Sequence, residues 1–413
     1  MKLPKPRTAI LKALPFAFVV FTTACAMEEN DQPTTSITDD EIRVAANARV
    51  CNTGDEVQCH ARVLVDSVGR NLTSAAPAGL SPATLRSFYG ITSNGSTSTT
   101  VAIVDAFGYP NALRDLQMYR STFGLPSIVA CTTGGAHPCL AVRSQTCTTT
   151  LPGGNLGWQQ ETALDLDMVS AMCPNCNILL VEGSSASFSA LATAANSAAS
   201  CTATGTRPVA ISNSYGGSES GTSSLSASYT HPGITVTASS GDSGFQAGPQ
   251  FPATSPGVLA VGGTSVHVGA TPRETVWLTT TTEATGSGCS TVFSKPSWQH
   301  DTGCTKRMEA DVSAVADPNT GVAVFAPTSS TASSFQVFGG TSVAAPLIAG
   351  IVGSTGAGID PSTVYSRVGL NPALLFDVTS GNNGTCSTAY FCHAEVGYDG
   401  PTGLGSPVGP GAF

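Results

Sequence analysis

The chain has 413 residues, of which 41% are hydrophobic and only 11% are charged, against roughly 25% charged residues in an average soluble protein. This balance excludes a disordered polyelectrolyte and a coiled coil, and the length allows one large domain or two to three ordinary ones. The 18 Lys and Arg residues against 27 Asp and Glu residues give a net charge of −9, which offers no electrostatic footprint for phosphate backbones and argues against nucleic-acid binding.

The first 26 residues are organised like a secretory signal. Cations within residues 2–12 precede an apolar run over residues 13–21, and the small-x-small cleavage site Ala24-Cys25-Ala26 follows. The apolar run is too short to span a bilayer, and no later stretch reaches transmembrane length without polar interruption. We therefore predict a secreted, extracellular protein. The alternative is a lipid anchor on Cys25, which lies in a degenerate lipoprotein cleavage box.

The cysteine count indicates disulfide bonds. Thirteen is an odd number, but Cys25 lies in the signal and the other twelve cysteines can pair. In an exported chain this predicts up to six bridges, whose connectivity the sequence does not determine. Cys173 and Cys176 form a Cys-x-x-Cys motif, but a redox dithiol would need a cytosolic context and a zinc site would need a second ligand pair. We interpret this pair as a structural disulfide.

Short apolar runs alternate with helical patterns through most of the chain. The predicted strands are short and apolar, and lie at residues 100–104, 178–181, 209–212, 234–238 and 258–261, and a strand-like segment at residues 61–65 precedes them within an otherwise polar N-terminal stretch. The predicted helices cover residues 81–88, 111–123 and 187–200. Because continuous apolar strands interleaved with helices are typical of a buried parallel sheet, we predict an α/β domain. The Ser/Thr-rich residues 93–100 and 279–290 are predicted to form surface loops.

Ser342 is a candidate nucleophile. It lies between a Gly-rich turn, Gly339-Gly340, and a stretch over residues 343–353 that is apolar on every face. Such a helix is buried, and the free N–H groups and positive end at its N-terminus can stabilise an oxyanion. The alternative is an N-cap serine on a core helix.

A candidate base lies on a predicted helix over residues 161–172. Glu161 and Asp165 are four residues apart and so adjacent on one helix face, where two carboxylates repel each other and one pKa rises. A carboxylate that shares a proton suits general-base catalysis at acid pH. The alternative is an acidic pair on a solvated face.

Asp242 follows the predicted strand over residues 234–238, in the turn Gly241-Asp242-Ser243-Gly244. This motif is weak by itself, because many such turns use Asp only to bind neighbouring N–H groups.

In this chain order the three segments resemble the sedolisin (serine-carboxyl peptidase) family, whose fold is that of subtilisin. The resemblance covers residues 80–407 and is carried by ordered blocks at residues 100–105, 124–126, 161–165, 211–216, 239–244, 251–256, 261–264, 296–299, 310–321 and 339–342. It implies a three-layer α/β domain with a mostly parallel central sheet flanked by helices. It also implies that Ser342 is the nucleophile and Glu161 its general base. Asp165 would orient Glu161, and Asp242 would contribute its side chain to the oxyanion hole.

The same resemblance implies a structural site for one calcium ion near the C-terminus. The matching positions are the side chains of Asp377 and Asp399 and the backbone carbonyls of Val378, Glu395 and Gly397. This donor set suits Ca²⁺, which takes six or more oxygens. The family usually has glycine where Glu395 stands, but a carbonyl ligand survives that change.

We predict three segments: a signal peptide (1–26), a short N-terminal leader or extension (27–79), and a sedolisin-type peptidase domain with the calcium site (80–413). The leader is shorter than the prodomain usual in the family. The predicted function is that of a secreted, monomeric endopeptidase that hydrolyses peptides or proteins through an acyl-enzyme at acid pH. A chain poor in Lys and Arg suits this pH because it accumulates less self-repulsion there.

Two alternatives remain open at this point. A neutral-pH subtilisin-like protease would use Asp105, at the end of the first strand, together with a histidine. The six histidines, however, lie outside any motif that looks catalytic, and we interpret Asp105 as a turn or support residue. A catalytically inactive homologue would only bind peptides, as an adhesive or recognition module.

Overall fold

The computed structural model describes residues 1, 2, 4, 46–51, 54–132 and 138–413. The apolar run and cleavage site of the predicted signal, with Cys25, lie outside the described residues. The chain divides into two compact units, Met1–Ile42 and Arg43–Phe413, and the fold given below is that of the second unit. None of the helices in the described part has the length and apolar character needed to cross a bilayer.

The secondary structure alternates strands and helices over most of the second unit. The helices are α1 (Pro82–Tyr89), α2 (Ala112–Thr122), α3 (Leu156–Met172), α4 (Phe188–Ala198), α5 (Thr341–Thr355) and α6 (Pro361–Leu370). The strands are β1 (Ala46–Arg49), β2 (Gln58–Cys59), β3 (Arg62–Val65), β4 (Thr73–Ser74), β5 (Thr100–Ala106), β6 (Val129–Ala130), β7 (Cys139–Ser144), β8 (Asn177–Gly183), β9 (Pro208–Asn213), β10 (Tyr215–Ser218), β11 (Thr235–Ser239), β12 (Gln250–Phe251), β13 (Val258–Val266), β14 (Glu274–Val276), β15 (Leu278–Thr280), β16 (Glu283–Ala284), β17 (Gly288–Ser294), β18 (Lys306–Glu309), β19 (Val312–Val315), β20 (Val322–Pro327), β21 (Ser333–Gly339), β22 (Leu375–Phe376) and β23 (Ser406–Pro407).

The central sheet has the strand order β14-β13-β11-β9-β5-β8-β7-β6, with β19 also paired to β13. The pair β13–β14 is antiparallel, and the other pairs are parallel. The five predicted strands from residue 100 to residue 261 are β5, β8, β9, β11 and β13. The prediction of an α/β domain with a mostly parallel sheet is therefore confirmed.

Helices cover both faces of the sheet. Along β5, Val101 and Ile103 pack into the core that contains α3 and α5, whereas Ala102 and Val104 pack into the core that contains α4. Because successive side chains of a strand point to opposite faces, both faces of the sheet are buried. This arrangement confirms the predicted three layers and explains why the strands are apolar without alternation.

Residues 46–74, which fall within the predicted leader, add strands to the body of the protein. β1 pairs with β3, and both β3 and β4 pair with β21, which in turn pairs with β20. The division into a leader (27–79) and a domain (80–413) stays a prediction about processing. In this structure the two segments are joined by main-chain pairing.

The twelve cysteines other than Cys25 form six disulfides, as predicted. The pairs are Cys51–Cys59, Cys131–Cys139, Cys147–Cys201, Cys173–Cys176, Cys289–Cys304 and Cys386–Cys392. The Cys-x-x-Cys motif is a disulfide rather than a metal half-site.

The prediction of a surface loop over residues 279–290 is wrong for its second half. Thr285 is fully buried, and its hydroxyl accepts a hydrogen bond from the Gly263 N–H at 2.7 Å. The Gly286 N–H donates to the Gly241 carbonyl at 2.7 Å and so supports the turn that follows β11. A hydroxyl-rich composition resembles that of a loop, but backbone groups can satisfy buried hydroxyls as well as water can.

Candidate active site

Ser342 lies in the first turn of α5, which is buried along almost its whole length. Gly340 is the N-cap, with a φ of 94°. The Ser342 side chain is fully buried, and its hydroxyl donates to the Ser214 carbonyl at 3.2 Å. The interpretation of Ser342 as an N-cap residue is therefore wrong, and the hydroxyl lies inside the protein among the groups described next.

The carboxylates of Glu161 and Asp165 lie on α3, and both residues are 0% exposed. The helix packs against α5 at Gly350, where a Cβ would lie 2.8 Å from the Cβ of Met172. The interpretation of these acids as a solvated pair is wrong. Burial raises the pKa of both carboxyls well above the usual range, and the neighbouring Asp105 raises both further.

Ser342, Glu161 and Asp165 interact through their side chains. Burial and Asp105 raise the pKa of Glu161, and the Ser342 hydroxyl opposes them by lowering it. The pKa of Asp165 is raised by burial and by both Asp105 and Glu161, and the Ser214 hydroxyl lowers it. Among the described residues, no group completes a regular hydrogen bond to either carboxylate. Catalytic contacts are often long in a resting site and tighten as charge develops.

Asp105 ends β5 beside this carboxylate pair. It is fully buried, and burial raises its pKa to about 7, with Thr162 lowering it and Glu182 raising it. Asp105 thus belongs to the acidic cluster of Glu161 and Asp165. Because the pKa values of all three carboxyls are raised, the cluster is not fully ionised at acid pH.

Asp242 lies in the turn after β11 and faces the start of α5. Its Oδ1 accepts hydrogen bonds from the N–H and the hydroxyl of Thr341, both at 2.8 Å. Its Oδ2 is buried and has no hydrogen-bond partner within the described part of the chain. Burial raises the pKa of Asp242 to about 6, although Arg62, Thr341 and Arg49 lower it. At a pH below about 6 the carboxyl is protonated and can donate through Oδ2.

The carbonyl oxygen of His60 lies near the start of α5, beside Ser342. The Ser342 N–H donates to this oxygen at 3.1 Å. A Cβ on Gly340 would lie 2.0 Å from the same oxygen and 2.6 Å from Asp242 Oδ2, so only glycine leaves the space free. One backbone N–H therefore donates to this carbonyl oxygen, and a carboxyl that can protonate lies nearby, which fits an oxyanion hole.

His60 is a site residue that the sequence analysis missed. Its Nδ1 lies 2.7 Å from Ser239 Oγ and its Nε2 lies 2.9 Å from Gln250 Oε1. Burial lowers the pKa of His60 to about 3, and Arg49 lowers it further, so the ring is neutral. The ring nitrogens do not bind Ser342, so His60 does not supply the base that the neutral-pH alternative requires. The sequence signal that could have pointed to His60 was its position between Cys59 and a strand-like segment.

The residues of the predicted calcium site lie in neighbouring turns near the C-terminus. The Gly397 N–H donates to Asp377 Oδ2 at 2.9 Å, and the Glu395 N–H donates to Asp399 Oδ2 at 3.1 Å. Asp377 Oδ1 is buried without a hydrogen-bond partner among the described residues, and the adjacent Val378 is fully buried. Burial raises the pKa of Asp399 to about 7, and Asp377 is among the groups that raise it. An orphaned carboxylate oxygen beside a second buried carboxylate fits a divalent cation.

A parallel α/β sheet with a buried serine at the start of a core helix places the chain among the subtilases. Residues 145–364 match the profile described as the Subtilase family, and the chain belongs to this family. Within it the resemblance to the sedolisins is confirmed, and the chain is a member of the sedolisin family. It is 31% identical over 377 residues to kumamolisin from Bacillus sp. (strain MN-32), a match that covers 81% of this chain and 63% of that protein.

A second relative and a solved structure agree with this assignment. The chain is 28% identical over 376 residues to sedolisin from Pseudomonas sp. (strain 101), with 82% of this chain and 62% of that protein covered. The structure of Pseudomonas sedolisin, a serine-carboxyl proteinase complexed with two molecules of pseudo-iodotyrostatin, superposes with a TM-score of 0.67 at 27% identity, covering 81% of this chain and 96% of that one. This chain therefore spans less than two thirds of the length of the two relatives.

Proposed function

We propose that the chain is an exported serine-carboxyl endopeptidase that hydrolyses peptide bonds through an acyl-enzyme at acid pH. The observation that carries this proposal is the Ser342 hydroxyl beside a fully buried pair of carboxyls, Glu161 and Asp165, whose pKa values are raised by burial and by Asp105. A nucleophilic serine needs a base, and a carboxylate with a raised pKa is a stronger base than an exposed one.

In the proposed reaction, Ser342 Oγ attacks the carbonyl carbon of the peptide bond while Glu161 accepts the hydroxyl proton. Asp165 retains a proton and orients Glu161. The negative charge on the substrate oxygen is stabilised by the Ser342 N–H and by protonated Asp242. Glu161 then gives its proton to the leaving amine, and water hydrolyses the resulting ester by the same route.

The acid optimum follows from the same groups. Asp242 donates a hydrogen bond only while it is protonated, and burial raises its pKa to about 6. As the pH rises through this value, the donor becomes an anion that repels the developing oxyanion. We therefore place the working range below about pH 6.

Export is the second part of the proposal. Six disulfides favour an oxidising compartment, in agreement with the signal predicted in residues 1–26. Fractionation of the producing cells tests it, because a secreted protein collects in the medium, whereas a lipid anchor on Cys25 would retain it in the membrane fraction. We expect the secreted protein to act on peptide or protein substrates as a monomer.

We also assign a calcium ion to the side chains of Asp377 and Asp399 and the carbonyls of Val378, Glu395 and Gly397. The buried, unpartnered Oδ1 of Asp377 supports this assignment. A bound divalent cation would neutralise the two carboxylates and so stabilise the C-terminal turns.

The central experiment compares wild-type protein with Ser342→Ala and Glu161→Gln on a denatured protein substrate from acid to neutral pH. A nucleophile and its base act as a unit, so we expect each change to lower turnover on the order of 10⁴-fold or more. The control is Ser354→Ala, which removes another buried hydroxyl of α5, bonded to the Ile351 carbonyl at 2.7 Å. Wild-type turnover in either active-site variant would contradict the proposal and favour different catalytic groups, whereas no turnover in the wild type would favour an inactive, peptide-binding homologue.

A further inference from the structure

The His60 side chain fills a closed pocket beside the candidate active site. The residue is 2% exposed, and its carbonyl oxygen accepts the Ser342 N–H at 3.1 Å. His60 therefore holds the position of the residue that supplies the reacting carbonyl, called the P1 residue below. The strand β2, directly before it, pairs antiparallel with β10. In peptides that bind as an added strand, main-chain hydrogen bonds hold the peptide and pockets select its side chains. The pocket around the His60 ring consequently indicates which P1 side chains it can select.

Two neutral groups contact the nitrogens of this ring. Nδ1 lies 2.7 Å from Ser239 Oγ, and Nε2 lies 2.9 Å from Gln250 Oε1. Burial lowers the pKa of His60 to about 3, and Arg49 lowers it further, so the ring is neutral and carries one N–H. Because an amide oxygen can only accept, Nε2 carries the hydrogen, and the Ser239 hydroxyl donates to Nδ1. The pocket thus offers one hydrogen-bond acceptor and one donor to the side chain within it.

The Gln250 amide is confined by the backbone on two sides. A Cβ on Gly216 would lie 2.8 Å from its Oε1, and a Cβ on Gly241 would lie 2.7 Å from its Nε2. Gln250 belongs to β12, which pairs with β10, and its N–H donates to Glu309 Oε2 at 3.2 Å. The acceptor oxygen is therefore held at a fixed place in the pocket, and only glycine at both neighbouring positions leaves room for it.

A cavity of about 410 Å³ adjoins the ring and is lined by both polar and charged residues. Its two acids, Glu56 and Glu219, already accept hydrogen bonds from backbone N–H and hydroxyl groups. Arg49 also lines the cavity, so a positively charged side chain would meet a like charge there. At the position of the ring, the pocket therefore recognises hydrogen-bonding groups rather than a charge.

We propose that Gln250, together with Ser239, determines specificity by selecting substrates with histidine or glutamine as the P1 residue. This inference rests on the proposed function. A glutamine side chain, like a neutral imidazole, presents a donor and an acceptor on either side of one carbon atom, and it does so at every pH. An apolar P1 side chain of similar size would leave the Gln250 oxygen and the Ser239 hydroxyl buried without partners, which is costly.

The first test uses the side chain already in the pocket and needs no turnover. His60→Gln and His60→Met are made in the full chain that also carries Ser342→Ala, and thermal unfolding is followed by calorimetry. We expect the methionine variant to melt a few degrees below the glutamine variant, because methionine leaves both pocket groups unpaired. Adding Gln250→Leu should shrink this difference, since residues in contact are energetically coupled. Equal melting temperatures, or a difference that Gln250→Leu leaves unchanged, would overturn the inference.

The second test measures selection among substrates. The wild-type full chain receives an equimolar mixture of peptides that differ only in carrying glutamine or methionine, which have similar lengths, at one position. Mass spectrometry at acid pH follows cleavage after that position. We expect kcat/KM to be about tenfold or more higher for the glutamine peptide. Gln250→Leu should lower this ratio about tenfold while cleavage after methionine persists. The matched control is Gln117→Leu, which replaces an exposed glutamine of α2 and should keep the wild-type ratio.

The outcomes of the second test separate this inference from the proposed function. If the wild type cleaves after methionine as efficiently as after glutamine, or if Gln250→Leu keeps the preference, the inference fails and the proposed function stands. If the wild type cleaves neither these peptides nor a denatured protein, the proposed function fails and the inference fails with it.

Discussion

The two oxygens of Asp242 have different environments. Oδ1 accepts two hydrogen bonds from Thr341 and so supports the N-terminus of α5. Oδ2 is buried near the His60 carbonyl and has no hydrogen-bond partner among the described residues. The residue is thus held in position by one oxygen and left free to act with the other. Its protonation, with a pKa of about 6, decides whether that second oxygen donates or repels.

Substitution of Asp242 should therefore change the pH profile of the reaction. Asp242→Asn offers an N–H donor at every pH, so we expect partial activity with the alkaline limb moved upward, until ionisation of the Glu161 and Asp165 cluster limits the rate. Asp242→Ala removes the donor and should lose roughly 10²–10³-fold in kcat. The measurement is kcat against pH for wild type and both variants.

The control for this series is Asp360→Asn, at the exposed N-cap of α6, where the side chain makes no cap hydrogen bond. It should keep the wild-type profile. Full activity in Asp242→Ala would show that Asp242 only shapes its turn and that the oxyanion is stabilised by other groups.

At the scale of elements, three segments that are distant in sequence build the site. The helix α3 carries the carboxylates one turn apart, α5 begins at the serine, and the turn after β11 carries Asp242. Close packing of α3 on α5 depends on Gly350, because a Cβ there would meet Met172 at 2.8 Å. Residues 58–65 form the fourth element, in which β2 pairs with β10 and β3 pairs with β1.

The C-terminal turns around Asp377 and Asp399 form a separate element with its own prediction. We expect excess chelator, or Asp399→Asn, to lower the melting temperature and the activity together. An ion bound only by the native state stabilises that state by mass action, and loss of one formal charge weakens its binding. The measurement is thermal unfolding with and without chelator, with activity assayed in parallel.

Asp360→Asn serves again as the control, since it removes an exposed carboxylate outside these turns and should not alter the effect of the chelator. An unchanged melting temperature in excess chelator would mean that Asp377 and Asp399 only bind backbone N–H groups of their turns.

At the scale of the whole molecule, buried carboxyls should govern the pH dependence of stability. Burial raises the pKa of Asp105 to about 7 from 3.8, that of Glu182 to about 7 from 4.5, and that of Asp242 to about 6 from 3.8. A carboxyl whose pKa is raised in the native state binds its proton more tightly there than in the unfolded chain. Its stabilising contribution is complete below the unfolded pKa and is lost as the pH rises through the native pKa.

We therefore expect the melting temperature to fall between about pH 4 and pH 7, since each unit of pKa difference is worth about 1.4 kcal/mol of unfolding free energy. Calorimetry on the Ser342→Ala variant avoids self-digestion during the scan. Asp105→Asn removes one of the titrating groups and should flatten the fall. A melting temperature that rises toward neutral pH would contradict this account.

Elements whose signals are local could be predicted from the sequence alone. Continuous apolar strands predict the sheet that β5, β8, β9, β11 and β13 form, because a strand buried on both faces has no reason to alternate. Glu161 and Asp165 are adjacent through helical spacing alone, and Ser342 is positioned by a Gly-rich turn before an apolar helix. Each of these signals lies within a few residues of the feature that it predicts.

Contacts between groups that are distant in sequence could be seen only in the folded protein. The Cys147–Cys201 disulfide, the burial of Thr285 and the place of His60 in the cleft depend on contacts between remote segments. His60 and Ser239, for example, are 179 residues apart in the sequence. From composition alone, a hydroxyl-rich stretch is predicted to be a loop, and an isolated histidine carries no signal for a site. Burial and hydrogen bonding are properties of the packed chain, so local periodicity carries no information about which partner a buried polar group will find.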